Sequence, residues 1–346
     1  MVVHIIFIIA FVFSIPDLND RVRMVFFTFF ILFLFLALRY DYGNDYMSYY
    51  KNYIDINNGL PAWGHTNILY KYLNLLAPTY EVFIAIISLF YIISIHYLMR
   101  SNLNINNYWF AIIILLLNPY LFLVHLSSLR QTIAICIFIF AVDAAVKRKS
   151  LLYFLLILAA TGFHSSAIIL MPIYFIANTR RISKNLILLI FIGILILIAT
   201  PLFETVIYFV LNKLSLASLY QHYFEQGLQN SFRATMIASI FFFVIIFNIN
   251  KLEGREIIYA KLSLIASIIS ILAYKLSMLS RVGMYFDVFL IVTLPHILNI
   301  VEKKLTKQIL FIIIIAIYLL KYISFFNNPL WEGYNFYKII SIKKII

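Results

Sequence analysis

The sequence contains one cysteine and few charged residues, and these two shortages exclude several kinds of protein. Cys136 is the single cysteine, so the chain can form neither an internal disulfide framework nor a thiolate metal site. Charged residues make up 12% of the 346 positions, hydrophobic residues make up 64%, and the mean hydropathy is +0.97. Soluble globular domains do not have this composition.

Motifs of nucleotide, zinc and serine-hydrolase chemistry are also absent. The sequence contains no G-x-x-x-x-G-K-[ST], no H-E-x-x-H and no G-x-S-x-G, so these three chemistries have no support. Asp41 and Asp45 provide two carboxylates without a third convergent oxygen ligand, which is weak support for a divalent-cation site. We therefore expect neither a metal nor a cofactor.

Long apolar runs predict an all-α polytopic membrane protein, because runs of about 20 apolar residues are typical of transmembrane helices. About ten spans are predicted, near residues 2–15, 22–38, 80–99, 108–124, 127–146, 185–200, 234–250, 257–275, 283–300 and 308–325. The formal charge of +13 comes from short basic clusters between these runs, which indicates cytoplasmic loops rather than nucleic-acid binding. The first run lacks a basic region before it and a cleavage site after it, so we interpret it as a span.

The segment 150–177 lies between two basic clusters, Lys147–Lys149 and Arg180 to Lys184. If both clusters are cytoplasmic, the chain between them crosses the membrane an even number of times. Two full helices need about 40 residues, more than this segment offers. We therefore favour a re-entrant hairpin of two half-helices broken at Gly162–His164, and one long tilted helix is the alternative.

The hairpin interpretation predicts a single transmembrane domain over residues 1–346 with both termini external. Three long segments then face outward, namely 39–79 with an interfacial helix, 201–233, and the C-terminal segment 326–346. The polar features described next fall on the same side, so we expect them to form one site.

Two arginines begin predicted helices on this outer side. Ser127 and Ser128 are good N-cap residues for the helix that contains Arg130. Unsatisfied first-turn amides together with an arginine are typical of a phosphate site, although an arginine there can also snorkel to lipid headgroups. Arg281 follows Ser280 in the same way, so two arginines suggest a clamp for a pyrophosphate.

His164 follows the glycine of the predicted hairpin and precedes Ser165 and Ser166. Polar groups at membrane depth are costly, which makes them functional candidates. A half-helix N-terminus at that depth binds anions in transporters, and a neutral imidazole can act as a general base for a sugar hydroxyl. The alternative is a hydrogen-bonded packing histidine.

The first external segment carries Arg39, Asp45, Tyr49 and Tyr53. The last three are spaced i, i+4, i+8 and would share one helix face. A carboxylate beside an arginine and several tyrosines suits a hydroxyl-rich ligand. A solvated connector lying on the membrane is the alternative.

Four short motifs together resemble the EpsG-type branch of the Wzy polysaccharide polymerases. In chain order they are Arg39-x-x-x-Gly43-Asn44-Asp45-x-x-x-Tyr49, Ser128-Leu-Arg130-Gln131 with Ala134, Phe163-His164-Ser165-Ser166-Ala167, and Ser280-Arg281-x-x-x-Tyr285-Phe286. The resemblance covers nearly the whole chain.

The resemblance implies a metal-independent glycosyltransferase of the GT-C type in a bacterial inner membrane. Such enzymes join oligosaccharide repeat units carried on undecaprenyl pyrophosphate at the periplasmic face, in O-antigen, capsule or exopolysaccharide synthesis, and a chain-length regulator is an expected partner. Arg130 and Arg281 would bind the departing pyrophosphate. His164 would be the general base, with Asp45 as its competitor. Arg39 would pair with Asp45 or contact a second carrier's phosphates. Substrate binding is assigned to Asp41, Tyr49, Ser128, Gln131, Ser165 and Tyr285.

Two other functions fit parts of the pattern. A flippase for lipid-linked oligosaccharides would also need internal arginines, but the spans show no two-fold repeat and the polar groups cluster on one side. An O-antigen ligase or a membrane acyltransferase could use arginine and histidine as well. The segment from Arg39 to Asp45 favours the polymerase, by resemblance.

Overall fold

The computed structural model describes residues 2–15, 21–62, 67–179, 183–213 and 232–340. Arg180, Arg181, residues 214–231 of the predicted external segment 201–233, and the end of the segment 326–346 lie outside these ranges. The chain divides into two compact units, the first formed by Met1–Tyr174 with Leu294–Ile346 and the second by Phe175–Thr293. The single transmembrane domain stays a prediction.

The described chain is helical apart from one two-stranded sheet. The helices are α1 Val2–Ser14, α2 Arg21–Ala37, α3 Tyr46–Asn57, α4 Ile68–Leu76, α5 Tyr80–Asn102, α6 Tyr108–Leu117, α7 Pro119–Phe122, α8 Leu129–Val146, α9 Ser150–Phe163, α10 Ile173–Asn178, α11 Lys184–Ala199, α12 Leu202–Lys213, α13 Phe232–Asn248, α14 Arg255–Leu272, α15 Leu279–Asp287, α16 Leu290–Ile300 and α17 Lys304–Phe326. Short 3-10 helices cover Ile105–Asn107, Val124–Ser127, Ser165–Leu170, Ile249–Lys251 and Pro329–Tyr334.

Four described helices are long and apolar enough to cross a membrane: Tyr80–Asn102, Leu129–Val146, Phe232–Lys251 and Lys304–Phe326. The bent pair of α15 and α16 makes a fifth if it counts as one span. Several other predicted spans correspond to shorter apolar helices of 10–17 residues, such as α1, α6 and α11. The protein is therefore a multi-pass membrane protein.

Two predicted spans are interrupted in the structure. The run 108–124 ends as a helix at Leu117, because Asn118 precedes Pro119 and takes the extended conformation that proline imposes on its predecessor (φ −105°, ψ 91°). The run 283–300 bends by 53° between α15 and α16. Tighter i to i−3 hydrogen bonds, from Phe289 to Phe286 and from Ile291 to Val288, mark this bend.

In the first unit, α8 forms the centre of the packing. It is apolar on nearly all sides, so it is buried along most of its length. Helices α5 and α9 pack against it, and α2 packs against both α1 and α5. Because the connection 147–149 between α8 and α9 is short, the two helices run antiparallel, and the end of α9 lies beside the start of α8.

The chain reverses direction at His164, as the hairpin interpretation of 150–177 predicts. Helix α9 ends at Phe163, and the following 3-10 helix packs back against it. The Tyr153 hydroxyl donates to the Leu170 carbonyl at 2.6 Å, and the rings of Tyr153 and Tyr174 lie 5.3 Å apart. One long helix is excluded. Whether the hairpin is re-entrant in a bilayer stays a prediction.

The C-terminal segment returns to the first external segment. Strand β1 (Arg39–Tyr40) pairs antiparallel with β2 (Lys338–Ile339), and the Ile340 amide donates to the Leu38 carbonyl at 3.0 Å. Tyr337 stacks on Phe35 with ring centroids 4.7 Å apart. The segment that follows α17 therefore covers the segment that follows α2.

In the second unit, α14 packs against α11, α13 and α15. Phe191 of α11 stacks on Phe242 of α13 with ring centroids 4.1 Å apart. The buried Lys261 of α14 donates from Nζ to the Thr179 carbonyl at 2.9 Å and to its hydroxyl at 3.2 Å. This lysine satisfies carbonyl groups beyond the end of α10, where a helix leaves them without backbone partners.

Candidate functional site

The loop before α3 joins three parts of the first unit. The Gly43 amide donates to the Gly333 carbonyl at 3.1 Å. Gly43 has a φ of +100°, and a Cβ there would lie 3.1 Å from the Ser127 hydroxyl, so both its conformation and its surroundings favour glycine. The Asp45 amide donates to the same hydroxyl at 3.4 Å, and Ser127 also shares a hydrogen bond with the Tyr334 hydroxyl.

Arg130 is positioned by three neutral groups from two other helices. It begins the first turn of α8, and its Nη1 donates to the Asn67 side-chain oxygen at 3.0 Å. Its guanidinium carbon lies 5.9 Å from the centroid of the Tyr70 ring on α4. The Tyr49 hydroxyl of α3 is its third partner: burial raises the pKa of Tyr49, and the Arg130 charge opposes this shift. These contacts fix the position of the guanidinium.

A second layer of polar groups lies behind Tyr49 and Tyr70. Asn52 of α3 is buried, and neither its side-chain oxygen nor its nitrogen has a hydrogen-bond partner among the described residues. The Tyr70 hydroxyl and the Asn74 side-chain oxygen also lack a partner at hydrogen-bond geometry, although the Asn52 and Asn74 side chains lie near enough to Tyr70 to oppose the rise in its pKa that burial causes. Buried polar groups are nearly always paired, so unpaired ones need an explanation such as a bound ligand group or water.

Arg39 is fully buried, with 1% of its surface exposed. Its guanidinium donates to the Leu36 carbonyl and to the Ser88 hydroxyl, so these groups are its partners rather than Asp45. Burial lowers the pKa of Arg39, and the nearby Tyr80 and Tyr46 oppose this shift. In the structure Arg39 joins the end of α2 to α5 inside the protein.

His164 lies at the reversal point between α9 and the returning 3-10 helix, where it is partly buried. The end of α9 that precedes His164 contacts α4. The contact is close, since a Cβ on Gly162 would lie 2.8 Å from the Leu69 side chain. Glycine therefore permits the close approach of α9 to the helix that carries Tyr70. Because α8 and α9 run antiparallel, His164 at the end of α9 lies at the same end of the unit as Arg130 at the start of α8.

The Ser128 side chain does not cap α8 as the sequence suggested. Ser128 is the N-cap residue of α8, but its hydroxyl donates back to the Val124 carbonyl at 3.3 Å instead of accepting from the helix amides. The preceding 3-10 turn brings that carbonyl within reach. Ser165 is exposed and begins a 3-10 helix whose N-cap residue is His164, without a side-chain cap.

The remaining predicted site residues have varied surroundings. Asp41 forms an exposed ion pair with Lys338 at 3.0 Å. Gln131 is buried in the first turn of α8. In the second unit, Arg281 is exposed in the first turn of α15, and Tyr285 is buried one turn later.

Within the described ranges no three His, Cys, Asp or Glu side chains come close enough to hold a metal ion.

Several residues of this site were not predicted from the sequence: Asn52, Asn67, Tyr70, Asn74 and Tyr334. A signal for three of them was present, because Asn67, Tyr70 and Asn74 are spaced i, i+3, i+7 and share one face of α4. Polar residues on the buried face of an otherwise apolar helix are informative. Tyr334 reaches the site only through the fold of the C-terminal segment.

Comparisons with known proteins assign the chain to a family. No curated protein and no solved structure matches it. The profile of the EpsG family matches residues 22–339, which include the loop before α3, the start of α8, the reversal at His164 and the start of α15. Since this match covers far more than half of the sequence, the chain belongs to the EpsG family.

Proposed function

We propose that this membrane protein is a polysaccharide polymerase that joins oligosaccharide repeat units carried on undecaprenyl pyrophosphate. Membership in the EpsG family supports a role in polysaccharide biosynthesis. The single observation that carries the proposal is Arg130, a guanidinium fixed by Asn67, Tyr49 and Tyr70 at the start of a helix. Such a group suits a phosphate oxygen, because charge and directed N–H donors act together.

The reaction transfers a glycan from its lipid carrier to a hydroxyl of a new repeat unit. The acceptor oxygen forms a bond to the anomeric carbon, and the bond from that carbon to the pyrophosphate oxygen breaks. The carrier pyrophosphate leaves with the electron pair, and the acceptor proton passes to a base. Arg130 stabilises the negative charge that develops on the leaving oxygen.

Two groups are candidates for the base. His164 lies at the reversal of the α9 hairpin, at the end of the unit that carries Arg130. Asp45 precedes α3, and its amide bonds to Ser127, three residues before Arg130. We assign proton transfer to His164 and the positioning of the loop to Asp45. Tyr49, Ser128, Gln131, Ser165 and Asp41 are proposed to bind substrate around them.

The proposal extends to the membrane arrangement. We infer about ten spans in a GT-C type fold, with the shorter apolar helices and the hairpin 150–177 completing the set. The protein would reside in a bacterial inner membrane, with a chain-length regulator as partner. Arg130 and its contacts Asn67, Tyr49 and Tyr70, here called the Arg130 cluster, would face the periplasm. In the second unit, Arg281 and Tyr285 stay predicted contacts for phosphate and sugar.

The direct test uses the purified protein and defined repeat units on undecaprenyl pyrophosphate, with and without a chelator. Polymer that forms in both conditions supports the activity and its metal independence. A flippase would instead move these lipids between leaflets of proteoliposomes without lengthening them. In a deletion strain, single repeat units on the cell surface indicate a lost polymerase, whereas their absence indicates a lost flippase.

We expect Asn52→Leu to lower polymer formation by about tenfold or more while the unfolding temperature stays equal or rises. The reason is that Asn52 carries unpaired buried polar atoms. Replacing such atoms with an apolar side chain of similar shape is neutral or stabilising for the fold, but it removes groups that would bind substrate. Thermal unfolding in detergent and polymerisation rates check both parts.

The matched control is Asn58→Leu, the same change at an exposed position just after α3. It should leave the rate within about twofold, as surface changes usually do. If Asn52→Leu lost stability and activity in proportion, Asn52 would be a structural residue and not part of the substrate site.

A further inference from the structure

A groove lined by tyrosines lies on a different face of α3 from the Arg130 cluster. It has a volume of about 360 Å³, and its lining includes Tyr40, Tyr46, Tyr50, Tyr53, Tyr80 and Glu81. Tyr46, Tyr50 and Tyr53 are spaced i, i+4, i+7 and therefore form one stripe of the helix. Tyr49 and Asn52 lie on the adjoining stripe of α3, and neither of them lines the groove.

The tyrosine rings of the groove are held in place by the protein itself. The Tyr80 hydroxyl donates to the Tyr46 carbonyl at 3.1 Å, and the Tyr53 hydroxyl donates to the Ala77 carbonyl at 2.6 Å. The Tyr80 ring lies at the centre, 5.3 Å from both Tyr46 and Tyr50 and 5.7 Å from Tyr53. The rings of Tyr46, Tyr53 and Tyr80 are buried, and Tyr80 supports the exposed ring of Tyr50 from below. Little entropy is therefore lost when a ligand binds to Tyr50.

The open part of the groove combines an aromatic surface with hydrogen-bonding groups. Tyr50 has 39% of its surface exposed, and Tyr40 and the Glu81 side chain are partly exposed. Burial raises the pKa of Tyr46 and Tyr53, so these phenols stay neutral at physiological pH. Apolar ring faces beside a carboxylate and hydroxyls complement a sugar ring, which has C–H faces and hydroxyl edges.

The charge of Glu81 favours a sugar over a phospholipid headgroup as the occupant of the groove. The Glu81 carboxylate at the groove repels a headgroup phosphate or a sugar acid, whereas it accepts hydrogen bonds from sugar hydroxyls or from an amino sugar. Tyrosines alone would also suit the membrane interface. The concave shape and the carboxylate together favour a carbohydrate.

We propose that this groove binds a neutral or amino-sugar ring of the growing glycan, next to the phosphate site across α3. The inference rests on the proposed polymerase function and adds a glycan-binding site to it. A chain held there stays bound while its lipid carrier is exchanged, so the groove promotes repeated addition without taking part in the chemical step.

The test measures both glycan binding and product length with the purified full-length protein. A repeat-unit oligosaccharide without lipid or pyrophosphate serves as the probe. Tyr50→Ala and Glu81→Gln should each weaken its binding about 5- to 10-fold, as expected for one lost aromatic or charged contact. Both variants should shorten the polymer, while formation of the first bond between two units stays within about twofold.

Tyr72→Ala is the matched control, because Tyr72 is an exposed tyrosine of α4 outside the groove, with 58% of its surface exposed. It should change neither binding nor product length. Arg130→Ala should keep oligosaccharide binding although it loses polymerisation. Glu81→Gln retains the shape of the side chain, so its effect is readable even if Tyr50→Ala does not fold.

The outcomes separate this inference from the proposed function. If the wild type binds the oligosaccharide in the groove but makes no polymer, the polymerase proposal fails and the groove assignment stands. If the wild type makes polymer and Tyr50→Ala matches Tyr72→Ala in binding and product length, the groove assignment fails. A loss of phospholipid-vesicle binding in Tyr50→Ala, with oligosaccharide binding intact, would identify the groove as a membrane contact and overturn the inference.

Discussion

Arg130→Ala is expected to lower polymer formation by about a thousandfold while the protein still inserts and folds. In other enzymes a fixed hydrogen-bond donor at the developing negative charge increases the rate by about 10²–10³. The guanidinium of Arg130 is such a donor, because Asn67, Tyr49 and Tyr70 orient it. Arg130→Lys should retain only a small part of the wild-type rate of polymer formation, because a lysine cannot keep the Asn67 contact and the Tyr70 ring contact with the same geometry. Polymer ladders and initial rates with lipid-linked repeat units measure the effect.

Arg100→Ala provides the control for this prediction. Arg100 is an exposed arginine in the last turn of α5, about 30 Å along the helix from Tyr80 and the α3 segment. Its loss should leave the rate within about twofold. Normal chain-length ladders in Arg130→Ala would show that the leaving pyrophosphate is held elsewhere, and the proposed role of Arg130 would have to be abandoned.

The sequence was most informative where a polar residue interrupts an apolar run. Arg130 at the start of a buried helix and His164 at a helix break were predicted from their cost in an apolar environment alone. Their helices begin and end within a few residues of the predicted positions. The reversal at His164 was also predictable, because the length of 150–177 and the flanking charges together favour a hairpin.

The partners of Arg130 were not predictable in the same way. Asn67 and Tyr70 come from a segment interpreted as part of an external loop, and the packing of α4 on α9, α3 and α5 brings that segment into the unit. The close contact between Gly162 and Leu69 that permits this packing depends on two residues far apart in sequence. Hydrophobic patterns define which face of a helix is buried, but they do not define its neighbour.

The surroundings of Arg39 show a second limit of sequence reasoning. An arginine at the end of a span, followed by two aspartates, was expected to be a ligand contact or half of an ion pair. The fold instead buries it, and Asp41 pairs with Lys338 of β2. That pairing requires the C-terminal segment to return beside the first external segment, a long-range strand contact that local patterns do not contain.

A third limit concerns the ends of helices. Asn118-Pro119 is a local signal for a helix end, yet the run 108–124 was predicted to be one span because most of its residues are apolar. The break places the 3-10 helix Val124–Ser127 before α8, and this turn brings Ser127 to the Asp45 amide and Tyr334. An interrupted span thus positions a part of the candidate site.

Ser127 also explains why Asp45 is better suited to positioning than to proton transfer. The Asp45 amide, the Tyr334 hydroxyl and the Ser127 hydroxyl form one hydrogen-bonded group that connects the loop, the start of α8 and the C-terminal segment. The Asp45 charge acts on Tyr49 and Tyr334. The Asp45 carboxylate therefore lies close to the phenol that contacts Arg130, and a positioning role agrees with this placement.

His164→Ala is therefore expected to lower the rate by about 10²–10⁴, the usual contribution of a general base, whereas Asp45→Asn should cost about tenfold. The pH profile distinguishes the two roles. A base accepts the proton only in its deprotonated form, so the rate falls toward acid pH as the base becomes protonated. His164→Ala should abolish this fall, and Asp45→Asn should retain it.

His96→Ala is the control, since His96 contacts Phe29 on α2 and lies about 24 Å along α5 from Tyr80. It should retain both the rate and the pH profile. If the fall in rate toward acid pH survives in His164→Ala and disappears in Asp45→Asn, the proton passes to Asp45. The reversal of the chain at His164 would then serve to pack α9 against α4, and the catalytic groups of the first unit would all come from the loop before α3 and the start of α8.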